Sequence, residues 1–116
     1  MPDEKQIAQL LLNMGIQPHL TGYKCLITAI STVQNGNSIP KNITSTILPE
    51  VAKVHKTTVS AVDRCIRHCL DKASDHPNPT WIKVIGQYMD VDETPKLGLF
   101  LAYVVEALRL ELVVVD

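Results

Sequence analysis

Apolar side chains recur at three- and four-residue steps along most of this chain, the spacing that lines one face of an α-helix. The clearest stripe is Val62, Cys65, Ile66, Cys69, Leu70 and Ala73, with Ser60, Arg64, Arg67, His68 and Asp71 on the opposite, outward side. Ala52 lies on a shorter helical segment ten residues before Val62, across a short polar turn. A small residue where two helices cross, followed at that distance by an apolar residue that locks the second helix onto the first, is the skeleton of a helix-turn-helix. Ser60 followed by Asp63 resembles a capping box, while Thr57 and Thr58 can also cap, so the start of the second helix is open by one or two positions.

The same periodicity predicts the other elements. Asp3 to Met14 opens with acids and carries Ile7, Leu10, Leu11 and Met14 on one face, with Gly15 as its stop. Leu20 to Asn35 follows on Leu20, Tyr23, Ile27, Ile30 and Val33, with Gly36 closing it and Pro40 barring its continuation. Asn42 can cap a short helix from Ile43 to Leu48, and Pro49 suits the first position of the next. After the loop Ser74 to Pro79, a helix over Thr80 to Met89 turns Trp81, Val84, Ile85 and Tyr88 inward. Thr94 and Pro95 can start a last helix, running to about Leu112 on Leu99, Phe100, Tyr103, Val104, Ala107 and Leu108. With no internal repeat or long linker, these elements predict an all-α fold of about six helices in an orthogonal bundle, one domain over residues 1–116.

Composition narrows the class. An apolar fraction of 46% with 20% charged residues describes a globular chain, and 4% aromatics leave the core to Leu, Ile and Val. No apolar run approaches the ~20 residues of a membrane-spanning helix, and no signal peptide opens the chain. The chain is therefore expected in the cytoplasm. The formal net charge of −1 lacks a basic signature overall, but its distribution is uneven. Between residues 41 and 72 stand Lys41, Lys53, Lys56, Arg64, Arg67 and Lys72 against Glu50, Asp63 and Asp71, a local excess of three positive charges. Positive charge is concentrated on the segment that would meet phosphate.

That segment carries the candidate chemistry. A major groove admits one helix, whose N-terminal side chains read base edges. Arg64 sits one turn in, where a guanidinium can reach the O6 and N7 of a guanine. Ser60 is short and suited to a phosphate oxygen or a base edge, and Arg67 and His68, a turn further on, suit the flanking backbone. Lys56 and Thr58 in the turn complete the candidates for DNA contact on this helix and its approach. The plain alternative is an amphipathic helix with solvated charges. Cys25, Cys65 and Cys69 are most simply small core residues. His68 projects away from Cys65 and Cys69 and no second ligand pair exists, so neither zinc nor another cofactor is expected. No Gly-rich phosphate loop, nucleophile elbow or paired carboxylates support catalysis, so no catalytic residue is assigned and the chain is not expected to be an enzyme.

Three stretches carry a family resemblance: Met14 to Tyr23, with its Gly15, Pro18 and Gly22-Tyr23; Ile43 to His68; and Leu108-Arg109-Leu110-Glu111. Together they resemble the C-terminal effector domain of the stage zero sporulation protein A family, over Ile7 to Glu111. The resemblance implies an all-helical domain of a bacterial response regulator of endospore formation, binding a short GC-containing box, often in tandem. By position, Ser60 and Arg64 match family residues that touch DNA, and Arg67 and His68 match the segment that follows. Asp63 stands where the family has Glu. Ala61 stands where the family has an Arg that reads a base, a loss worth roughly 1–3 kcal/mol of discrimination. His55 and Lys56 replace an aromatic and a small polar residue in the turn.

The resemblance also implies an RNA polymerase sigma subunit as partner, through the loop near Tyr88 to Lys96, which is acidic here at Asp90, Asp92 and Glu93. Family members carry a receiver domain ahead of this one, and no segment of this chain is expected to serve as such. Leu97, Leu99, Phe100, Leu101, Val104 and Val105, continuing into Leu112 to Val115, make the last helix the candidate surface for a homodimer or tandem binding. Two readings follow: a transcriptional regulator that reads DNA with the helix near 59–73, or an interaction module of the same fold that pairs with a full-length regulator and antagonises it.

Overall fold

The computed structural model describes residues 3–35 and 43–110; the expected turn around Gly36, Pro40 and Asn42 and the segment from Leu112 onward lie outside them. Six helices follow one another: α1 (Glu4–Asn13), α2 (Thr21–Asn35), α3 (Ile43–Val54), α4 (Val59–Asp75), α5 (Pro79–Ile85) and α6 (Leu97–Leu110). No strand occurs among the described residues, and the fold is an all-α bundle.

Local chemistry sets most of the helix ends. Asp3 caps α1 by accepting from the Gln6 amide at 2.9 Å, and the Gln6 carboxamide accepts from the Asp3 amide at the same distance. The helix ends on Gly15, whose φ of +92° is open to glycine, while the Ile16 amide reaches back to the Leu11 carbonyl at 3.0 Å. Asn78 caps α5, receiving the Trp81 amide at 2.8 Å, and Pro79 occupies a first-turn position where its missing N–H costs nothing. The Asn78 amide also donates to the Asn13 carbonyl at 2.9 Å, tying the end of α1 to the start of α5.

Helix α2 is the hub of the packing, touching α1, α3, α4 and α6, and its most extensive contact is with α4. Leu26, Ala29 and Ile30 of α2 are buried in one core with Leu11, Val51, Ile66, Trp81 and Phe100. Gly22 sets how closely α2 and α4 approach. A methyl group there would come within 2.7 Å of the Cys69 sulfur and would strike the Cys65 carbonyl. Glycine is thus required at the first half of the Gly-Tyr pair by a helix crossing.

Four expectations are corrected. Pro49 does not begin a new helix but lies inside the single helix α3, because Ile47, Leu48, Val51 and Ala52 form one buried stripe across it. Burying such side chains contributes about 1.5–3 kcal/mol for each large one, which offsets the roughly 3 kcal/mol of an interior proline. Helix α4 is capped by Thr58, whose hydroxyl accepts from the Ala61 amide at 3.1 Å, so Ser60 and Asp63 form no capping box. Helix α5 stops at Ile85, and Tyr88 beyond it is exposed, its ring stacked at 4.3 Å on Tyr103 of α6. Helix α6 begins at Leu97, not at Thr94 or Pro95, because the Thr94 hydroxyl is drawn to Asp71 of α4 at 2.6 Å.

Candidate nucleic-acid interface

The turn between α3 and α4 is built by backbone hydrogen bonding. The Thr57 amide donates to the Ala52 carbonyl at 2.9 Å and the Lys56 amide to that of Lys53 at 3.3 Å, the pair of bonds that ends a helix on a left-handed residue. That residue is Lys56, with φ of +54°, a position that glycine fills more readily. Beside it, His55 is half-buried and shares a 2.7 Å hydrogen bond between its Nε2 and the Thr28 hydroxyl of α2. A bond across helices thus fixes the turn to the hub, and periodicity in the sequence carries no signal for it. Ala52 and Val62 are both buried where α3 and α4 pack, as the helix-turn-helix spacing requires.

Helix α4 presents its polar face as expected. Ser60, Arg64, Arg67, His68 and Asp71 are all exposed, with Lys56 and Thr58 exposed ahead of them. Arg64 makes no hydrogen bond or ion pair with any other described residue and is free to meet a ligand. Arg67 is engaged: its guanidinium meets Asp63 at 2.8 Å, one helical turn back. Both side chains are largely solvated, so this pair is worth only a few tenths of a kcal/mol. Thr58 spends its hydroxyl on the cap.

Ala61 and Asp63 part company around Arg64, because successive residues of a helix point in different directions. Ala61 lines a cleft of about 460 Å³ between α2 and α4, together with His19, Thr21, Lys24, Cys25, His55, Thr57 and Cys65. Asp63 lines a second cleft of about 450 Å³ with Arg67, Asp71, Thr94 and Lys96, floored by Leu48, Ile66, Leu70 and Leu97. The first holds one lysine, two histidines, hydroxyls and thiols beside the apolar Pro18, Leu20 and Val62, with no carboxylate; the second mixes both signs of charge. The first cleft needs His19, Thr21 and Lys24 from α2 and its approach, which the sequence pattern did not assign to the site.

Of the cysteines, Cys25 and Cys69 are buried and Cys65 is half-buried. Burial pushes the Cys25 thiol up and the Cys69 thiol to about 11, and the nearby Cys65 adds to both. No group of three or more His, Cys, Asp or Glu side chains among the described residues could hold a metal ion. No described helix is long and apolar enough to cross a membrane.

The family model described as "Sporulation initiation factor Spo0A C terminal" matches residues 7–108, which takes in all of α2 to α5, most of α1 and α6 and the entire helix-turn-helix. The chain therefore belongs to the Spo0A C-terminal family, the DNA-binding domain of a regulator of sporulation.

Proposed function

We propose that this chain is a transcriptional regulator that recognises specific double-stranded DNA by laying α4 in the major groove. One observation carries the reading: Arg64 stands exposed, with no partner among the described residues, one turn into a helix whose exposed face also carries Ser60, Arg67 and His68. A guanidinium in that place can donate in bidentate fashion to guanine, while Ser60 and His68 contact phosphate or base edges around it. Lys56 adds positive charge in the turn, and Arg67 reaches phosphate once it leaves Asp63. Thr58 contributes by holding the start of α4. Ala61 supplies no donor, so the preferred box differs from that of relatives with an Arg at this position.

Because the local charge excess is modest, one copy binds weakly, and adjacent or paired copies raise the effective concentration of the second. The core takes Phe100, Leu101 and Val104 of α6, so the surface for that pairing is the rest of the helix, with the exposed Leu99 and Leu110. The acidic loop from Asp90 to Glu93 remains available for a sigma subunit.

The test is selection of bound sites from a random DNA pool, followed by gel-shift with the enriched site. Arg64→Ala should lose about 1–3 kcal/mol and relax the preference at one G·C pair. Equal retention by both proteins would rule out groove reading and leave the antagonist of a full-length regulator as the function.

A further inference from the structure

All three cysteines of this chain converge on one place, the crossing of α2 and α4. Cys25 comes from α2; Cys65 and Cys69 come from α4. Gly22 lets the two helices approach until the Cys69 sulfur and the Cys65 carbonyl lie against its backbone, and Cys25 is one turn further along α2. Cys65 is the half-exposed member and opens, with Cys25, into the cleft lined by His19, Lys24 and His55. No carboxylate is among the described residues lining that cleft.

We propose that Cys65 is a thiol-oxidation site and that Cys25 resolves it, so that a peroxide-class oxidant joins α2 to α4 and withdraws Arg64 from DNA. Reactive cysteines are marked by partial exposure, cationic surroundings and a second thiol within reach. Here Cys65 is half-exposed, Cys25 lines the same cleft as the second thiol, and Lys24 is the cation among the lining residues. The Cys65 sulfur attacks one peroxide oxygen and the O–O bond breaks, forming a sulfenic acid and expelling hydroxide, which takes up the Cys65 thiol proton and leaves as water. Cys25 then attacks the sulfenyl sulfur, the S–O bond breaks, and the departing hydroxyl takes the Cys25 proton to leave as water. Both sulfurs are oxidised to one disulfide and the peroxide is reduced to two waters.

Cys69 is the poorer resolving thiol. Side chains four apart on a helix have β-carbons about 5–6 Å apart. A disulfide needs about 3.5–4.5 Å, so pairing Cys65 with Cys69 would require α4 to unwind. Cys25 is on a different helix, so pairing with it requires a shift between α2 and α4 and leaves the turns of α4 intact. Such a shift moves Arg64, the residue next to Cys65, relative to the turn that His55 pins.

The full chain, treated with hydrogen peroxide and digested without reductant, should give a Cys25–Cys65 linked peptide within one molecule, reversed by dithiothreitol. C25S should stop at a sulfenic acid on Cys65, trapped by dimedone, and C65S should leave Cys25 and Cys69 reduced. Circular dichroism of each variant should match the parent, since these changes are small. A Cys25–Cys69 link, a link only between molecules, or an unmodified Cys65 at peroxide doses that oxidise free cysteine would overturn the site. Oxidised protein should lose DNA retention and regain it on reduction, and unchanged retention would overturn the control of α4. The DNA effect rests on the groove-reading function. If reduced protein retains no DNA, that reading fails, while the linked peptide still decides the thiol site.

Discussion

At the residue scale, three side chains do work that their sequence neighbours do not announce. Lys56 sits in the left-handed region, which costs a side-chain-bearing residue roughly 1–2 kcal/mol, part of which a glycine returns by its freedom in the unfolded chain. K56G should therefore stabilise the fold by about 0.5–1 kcal/mol in urea denaturation, while weakening DNA retention through the lost charge. Gly22 is the opposite case. G22A should cost about 1–3 kcal/mol, because the added methyl meets the Cys69 sulfur and the backbone of α4, and thermal unfolding would show the loss. Asp63 holds Arg67 in a solvated pair, so D63N should change stability by less than about 0.5 kcal/mol. It should nevertheless tighten DNA binding, because it frees Arg67 and removes a negative charge from the face that meets phosphate; weaker binding by gel-shift would count against that placement.

At the element scale, the crossing of α2 and α4 is the joint on which the interface depends. Two buried thiols sit in it, both favoured in their neutral form: Cys25 is raised, and Cys69 moves from an ordinary 9.0 to about 11. A raised folded-state value stabilises the fold in full below the unfolded value and loses that contribution as pH rises through the folded one. Stability should hold up to about pH 9 and fall between there and pH 11. C69A should flatten that limb in urea melts across the alkaline range. The longer helix α3 has the same lesson in its own form. A proline that reads as a boundary is carried inside the helix because buried neighbours, two before it and two after, share one face.

At the scale of the whole molecule, charge is divided rather than absent. The helix-turn-helix region carries the positive excess and the remainder the acids, so the net of −1 conceals an oriented field. Binding should weaken steeply with salt, with log K falling by about 0.9 per phosphate contacted for each unit of log salt. Replacing both Lys53 and Lys56 by Ala should lower that slope and reduce affinity equally for unrelated sequences, whereas R64A should act chiefly on the preferred one. Filter binding at several salt concentrations separates the two behaviours.

The sequence by itself determined the all-α class, the helix-turn-helix and the outward face of α4, because a period of 3.6 is local and repeats within each segment. It also carried the family, since the matching stretches span nearly the whole chain. The tertiary structure alone decided the rest. Whether Pro49 divides a helix and where Tyr88 points both turned on burial or ring contact with residues brought up from elsewhere. The cleft along α4 joins residues near 20 to residues near 60, and Cys25 and Cys65 line it together. Proximity between distant segments is a property of packing, which no period along the chain encodes.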